Sequence, residues 1–242
     1  MRIVSLVPSW TEYLIDLGLS ENLKGRTKFC VRAGTETDKI AVVGGTKSFH
    51  IEKVQRLKPD LIISSKEEND RELVQACGRF ADVLVTDVKT IQSALDACGE
   101  IAKATKSQKT GQQWIDQIEK SWGEPRPSKI QADYVVWNKP LMLAGHDTFI
   151  HAVMEWWGIE NSAKQAQGGR YPEISEADWN QKSADWTLLP SEPFPFQAKH
   201  LAAFQAMGKK PVLVDGEAFS WYGSRMAHAA PYLESLAEKL QP

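Results

Sequence analysis

Among the side chains able to engage a ligand, the nine tryptophans are many for a chain of 242 residues. Several fall between turn-forming neighbours, where core packing does not readily explain them. Trp137 lies in Val136-Trp137-Asn138-Lys139, and Trp221 follows Asp215-Gly216 and precedes Gly223 in what reads as a loop. A rigid aromatic ring offers a stacking face at small cost in side-chain entropy, which suits a flat macrocycle or a catecholate chelate. Lys66, Arg170 and Arg225 could meet carboxylate, phosphate or amide groups at the periphery of such a ligand, because a cation beside an anion gains in a partly desolvated site. Each has a second use: the aromatics in a core, the cations on a solvated surface.

Bond-making chemistry finds less support. Gly44-Gly45-Thr46-Lys47 lacks the spacing of a phosphate loop and reads as a turn before a helix. Cys30 and His50 could act as thiolate and base, but nothing in the sequence makes them adjacent. Asp147 reads as the N-cap of the helix that follows it, and His151 falls inside that helix as a satisfied histidine. Cys30, Cys77 and Cys98 are an odd set with no C-x-x-C spacing, so buried or free thiols are expected, with no metal site and no intrinsic cofactor. A binder is therefore expected rather than an enzyme.

A hydrophobic content of 42% supports either two small α/β lobes or one larger domain. Lys+Arg 29 against Asp+Glu 31 gives a formal charge of −2, which carries no footprint for nucleic acid or an anionic membrane. The apolar run at Met1-Arg2-Ile3-Val4-Ser5-Leu6 is too short for the core of a signal peptide, and Pro8 follows at once. A chain whose leader had been trimmed would read the same. A periplasmic or cell-surface location is expected in that case, and a cytoplasmic one if Met1 is the native start.

These residues need elements to position them. A strand from Arg2 to Leu6, a turn at Pro8 and a helix from Trp10 to Leu17 open the chain, with Ser9 and Glu12 read as a capping box. Apolar runs at Ala41 to Val43, Leu61 to Ile63 and Val83 to Val85 alternate with helical patterns, which implies a mainly parallel sheet covered on both faces. From Ile91 to Trp122 the pattern is helical, broken at most near Thr105 to Lys109, and Glu124-Pro125-Arg126-Pro127 ends it. Strands at Tyr134 to Trp137, Leu141 to Leu143, Trp186 to Leu189 and Val212 to Val214 then alternate with helices at Thr148 to Trp157, Gln197 to Met207 and after Pro231. The fold class is α/β, with two Rossmann-like lobes of mainly parallel sheet (residues 1–90 and 129–242) joined by a long connector helix (residues 91–124). A weak repeat agrees: Leu57-Lys58-Pro59-Asp60-Leu61 through Glu67 lines up with Lys182-Ser183-Ala184-Asp185-Trp186 through Glu192.

Arg2-Ile3-Val4-Ser5-Leu6-Val7-Pro8-Ser9 with Thr11-Glu12, the Leu57-Lys58-Pro59-Asp60-Leu61-Ile62-Ile63 element, the connector and Ser220 to Leu240 together resemble the cobalamin and siderophore receptors, the substrate-binding proteins with a helical backbone. The resemblance implies two lobes closing slightly on an aromatic-rich cleft around a corrinoid or ferric siderophore, for delivery to an ABC transporter permease dimer, with the receptor a monomer. It places ligand aromatics on Phe29, Tyr171 and Trp221. It also places Thr46 and Ser65 where cobalamin-binding members carry tryptophan, so two stacking faces are absent here. Glu52 matches the glutamate that docks the first lobe onto the permease; the second docking position falls on Ala177, beside Glu176. Two other uses of the same fold stay open, an unexported intracellular binder of corrinoids and a chelatase-like enzyme.

Overall fold

The structure, a computed structural model, describes residues 1–32, 34–128, 130–163, 169–180 and 184–241. The first residue assigned to the second lobe, Lys129, and the Lys182-Ser183 end of the repeat lie outside them. The chain divides into two units. One comprises Met1–Val88, Gln92–Lys120 and Tyr222–Ala227; the other comprises Lys89–Ile91, Ser121–Trp221 and His228–Pro242.

In the first unit, β1 (Ile3–Ser5), α1 (Pro8–Asp16), β2 (Leu23–Thr27), α2 (Thr35–Asp38), β3 (Ala41–Gly44), α3 (Ile51–Arg56), β4 (Leu61–Ser65), α4 (Arg71–Cys77) and β5 (Asp82–Thr86) alternate without exception. The five strands pair in parallel in the order β3-β2-β1-β4-β5. β1 and β4, in the middle of the sheet, are buried along their whole length, which is why Ile3-Val4 and Leu61-Ile62-Ile63 read as unbroken apolar runs rather than alternating. Val4, Leu6, Val43, Phe49, Val54, Ile62, Val74 and Cys77 form the core on which this sheet and its helices meet. Strand order reverses at β1, so the groove outside the carboxyl ends of β1 and β4 is where ligands of such sheets gather.

The start of α1 departs from the sequence reading. The helix begins at Pro8, whose missing N–H costs nothing at the first helical position, and Val7 is the N-cap with no side-chain bond. Ser9 lies inside the first turn, its buried hydroxyl without a partner among the described residues. Glu12 does not cap; its carboxylate takes both Nε and Nη2 of Arg225.

The stretch expected to be one helix is two, α5 (Ile91–Ala104) and α6 (Gln108–Trp122). Lys106 turns the chain with φ +59°, while the N–H of Ser107 bonds the carbonyl of Ala102 and that of Lys106 the carbonyl of Lys103. This is a Schellman stop built on lysine instead of glycine, in the segment where the sequence allowed a break. The two helices run antiparallel: a Cβ on Gly111 would fall 2.4 Å from Ala102 Cβ, and one on Gly99 4.0 Å from Ile115 Cδ1. Tyr13 donates its hydroxyl to the carbonyl of Cys98, and Trp114 Nε1 reaches the carbonyl of Asp16, so Gln92–Lys120 packs as part of the first unit.

The second unit carries β6 (Ile130–Trp137), β7 (Met142–Leu143), α7 (Phe149–Trp156), β8 (Ile159–Asn161), α8 (Glu176–Asn180), β9 (Trp186–Pro190), α9 (Ala198–Ala206), β10 (Pro211–Val214), α10 (Gly216–Ser220) and most of α11 (Arg225–Leu240). β10, β9 and β6 pair in parallel; β6 is long enough to take β8 in parallel along its first half and β7 antiparallel along its second. Val135, Leu143, Ala163, Trp179, Leu189, Phe196 and Phe204 form the core here. Thr148, not Asp147, caps α7 by accepting the N–H of His151, and Asp147, at φ +62°, pairs instead with Lys89 at 2.9 Å. The last helix starts six residues before Pro231, with the proline inside it, because Met226, Ala227, Ala229 and Ala230 are buried and that packing outweighs the lost backbone bond.

The repeat has a structural counterpart. Asp60 accepts the N–H of Arg2 at 2.7 Å, and Asp185 accepts the N–H of Gln131 at 2.8 Å. In each unit the aspartate before the second-laid strand of a pair fixes its register on the first, Ile3 opposite Leu61 and Ala132 opposite Trp186.

Candidate functional site

In the first unit the carboxyl edge of the sheet collects Phe29 after β2, Gly45 and Thr46 after β3, and Lys66 after β4. Phe29 is 51% exposed, the Lys28 ammonium sits 5.0 Å from its ring centroid, and its edge lies 3.6 Å from where a Cβ on Gly45 would be. Lys66 is exposed and reaches Asp87 after β5 at 2.8 Å, a pair well within solvent. Asn69 ties the edge together: its amide nitrogen donates to the carbonyls of Leu6 and Thr46, and its oxygen accepts the N–H of Ser65. The Gly44–Lys47 segment is a turn as expected, with Lys47 donating to the carbonyl of Glu67.

Arg225 belongs to this unit but is held differently. Its half-buried guanidinium is met by both oxygens of Glu12, so its charge is matched within the protein. Next to it, Tyr222 packs its ring 4.5 Å from Trp10 and donates to Glu68 Oε1 at 3.0 Å, while Trp10 Nε1 donates to Thr86. Cys30, Cys77 and Cys98 are buried thiols; Cys30 lies 3.1 Å from the hydroxyls of Thr11 and Thr27, and burial pushes its thiol up.

In the second unit Trp137 ends β6 with 41% of its surface exposed, its indole N–H fixed on the carbonyl of Lys139. Phe194 packs edge-on against it at 5.5 Å and continues through Phe196 and His200 into an aromatic cluster beyond β9. Arg170–Ile174 runs beside Leu141–Gly145, with the N–H of Gly145 on the carbonyl of Arg170 and that of Leu143 on the carbonyl of Pro172. Tyr171 is thereby placed, half-buried, on the far side of β7 from β6. Asp147 is held below its ordinary range by the Lys89 hydrogen bond first, with the charges of Lys89 and Arg170 adding to it.

Trp221 is not in an open loop. It closes α10, is 9% exposed, and donates Nε1 to Glu192 Oε1 at 2.6 Å. The structure thus gathers Phe29 and Lys66 on one sheet edge and Trp137 on the other unit's, turns Trp221 inward, and commits Arg225 to Glu12. Glu192, Phe194 and Tyr222 were not singled out from sequence. Glu192 had left a trace, as the glutamate ending the second copy of the repeat. Glu52 and Glu176 are exposed in the first turns of α3 and α8. Among the described residues no group of three His, Cys, Asp or Glu is placed to hold a metal ion, and no helix is long and apolar enough to cross a membrane.

Comparison with known proteins agrees with this architecture. Residues 3–213 match the periplasmic binding protein family. The chain is 20% identical over 253 aligned positions to the vitamin B12-binding protein of Pectobacterium carotovorum subsp. carotovorum (strain PC1), covering all of this chain and 90% of that one. Its fold superposes on the periplasmic vitamin B12-binding protein BtuF of Vibrio cholerae with a TM-score of 0.78 at 19% identity, over 99% of this chain and 97% of that one. The periplasmic heme-binding protein HutB of Vibrio cholerae gives a TM-score of 0.80 at 20% identity, over 98% of both chains. With the family matched along most of its length, this chain belongs to the periplasmic binding proteins, as a ligand-binding protein and not an enzyme.

Proposed function

We propose that this protein captures a metal chelate of the corrinoid, haem or ferric siderophore kind in the periplasm and hands it to an ABC importer, with ligand contacts supplied by the carboxyl edge of each sheet. The observation that carries the ligand class is the pair of large aromatic side chains, Phe29 and Trp137, left in water at strand carboxyl ends. Rings there gain by stacking on a flat or apolar chelate, and both are oriented by neighbours before a ligand arrives. The relatives named above support the same class, since they bind vitamin B12 or heme. Lys66 serves the anionic periphery, its partner Asp87 being replaceable by ligand because an exposed pair is worth little. Tyr171 and Arg170 contribute from beside β7. Docking to the permease is assigned to Glu52 and Glu176.

Titration with cyanocobalamin, haemin and ferrichrome, followed by visible absorbance and calorimetry, tests the reading. Saturable one-to-one binding of at least one chelate is expected. Failure of all three to bind overturns it.

A further inference from the structure

The second unit holds a carboxylate that its own architecture does not require. Glu192 lies two residues past β9 and is half-buried; its Oε1 accepts Trp221 Nε1 at 2.6 Å and Ser220 Oγ at 3.0 Å. Gly216 lies flush against it, where an added Cβ would fall 2.7 Å from the Glu192 carbonyl oxygen and 2.8 Å from its Cγ. Its other oxygen, Oε2, has no hydrogen-bond partner among the described residues. The strongest charges acting on it are like ones, Glu217 and Asp215, and it forms no ion pair among the described residues. The two donors need only an acceptor, and a glutamine would serve them without taking a charge out of water. A half-buried carboxylate without a counter-charge among the described residues costs stability, so its presence where an amide would serve both donors points to work done outside the fold.

Its surroundings point to a ligand. Burial raises the Glu192 carboxyl above its ordinary range, against the lowering effect of the Ser220 and Trp221 hydrogen bonds, with Glu217 and Asp215 raising it further. The Tyr134 phenol, within the influence of Glu192, Asp215, Tyr171 and Tyr232, is fully buried, and its oxygen has no partner among the described residues. Phe194, two residues beyond Glu192, packs on the exposed Trp137. A fixed acceptor with one oxygen open to solvent therefore lies two residues along the chain from the aromatic contact surface.

We propose that Glu192 contacts the ligand, accepting through Oε2 a hydrogen bond from an amide, amine or hydroxyl at the chelate's rim, and so selects donor-bearing chelates over those with carboxylate rims. The assignment rests on the chelate-binding reading above. A ligand carboxylate brought here would join Glu192, Asp215 and Glu217 as a further like charge, whereas an N–H or O–H relieves the acceptor.

The test compares the parent with Glu192→Gln, which keeps an acceptor for Trp221 and Ser220 and removes the charge. The probes are cyanocobalamin and ferrichrome, whose rims carry amide N–H groups, and haemin, whose rim carries two carboxylates. The parent is expected to bind a donor-bearing chelate, and Glu192→Gln to bind it roughly ten- to a hundredfold more weakly, the range for a hydrogen bond to a charged group. Haemin affinity is expected to be unchanged or improved. Parent affinity for the donor-bearing chelate is expected to fall as pH is lowered through the carboxyl's titration, while the variant's stays flat; a purely structural role would not produce that difference. A parent that binds haemin alone, or a variant that matches the parent with a donor-bearing chelate, overturns the assignment while leaving the chelate reading standing. A parent that binds none of the three overturns both.

Discussion

Trp137 and Trp221 look alike in sequence, each an aromatic among turn-forming neighbours, and the structure separates them by what their rings touch. Trp137→Ala removes an exposed ring, so it is expected to weaken chelate binding by about 1–3 kcal/mol while changing unfolding free energy by less than about 1 kcal/mol. Trp221→Ala empties a buried site and frees the half-buried Glu192 from one of its two donors. It is expected to cost about 3 kcal/mol or more in folding stability, seen as a lower urea midpoint. Equal loss of melting temperature in the two variants would contradict the distinction. The exposure of the Trp137 ring was legible in its turn-forming neighbours at a strand end, whereas Phe29 was reached only through the family resemblance. The fates of Arg225 and Trp221 were not, since each is decided by a carboxylate distant in sequence, Glu12 and Glu192, and spacing rules see only local partners.

β1, β3, β4, β5, β9 and β10 were read close to their true positions, because a parallel sheet buries whole strands and leaves unbroken apolar runs such as Leu61-Ile62-Ile63. What escaped were elements of three to five residues, β2, α2, β8, α8 and α10, and ends governed by tertiary contacts. The Ser9/Glu12 capping box has the right letters, but Pro8 starts the helix earlier and Arg225 claims the glutamate. The break between α5 and α6 is closed by Lys106 in a conformation that usually advertises itself with glycine. That hairpin makes its own prediction. Gly111→Ala puts a Cβ 2.4 Å from Ala102 Cβ and is expected to destabilise the protein by about 1–3 kcal/mol through overpacking. Gly99→Ala, with its nearest neighbour at 4.0 Å, is expected to be neutral or to stabilise by up to about 1 kcal/mol through helix propensity. Thermal denaturation of the two variants side by side is the measurement, and the reverse order would contradict the helix approach.

Across the full chain, the proposed delivery is a matter of surface charge separate from ligand capture. Glu52 and Glu176 are exposed and sit on short helices, and the proposed docking sets each in an arginine pocket of a permease. The double variant Glu52→Lys, Glu176→Lys is expected to keep the parent's chelate affinity and to lose permease association, with a salt-dependent fall in on-rate, because rim charges act mainly on encounter. Undiminished binding to detergent-solubilised permease would remove the docking role. A different consequence follows from the way the chain is apportioned. Tyr222–Ala227, near the end of the chain, belongs to the first unit, where Tyr222 covers Trp10 and Arg225 neutralises Glu12. During synthesis, then, the amino-terminal unit cannot be finished when its own strands have emerged. Its first helix lacks the Tyr222 ring on Trp10 and the Arg225 guanidinium on Glu12 until residue 227 leaves the ribosome, so the first unit reaches its final form only after most of the second has been made.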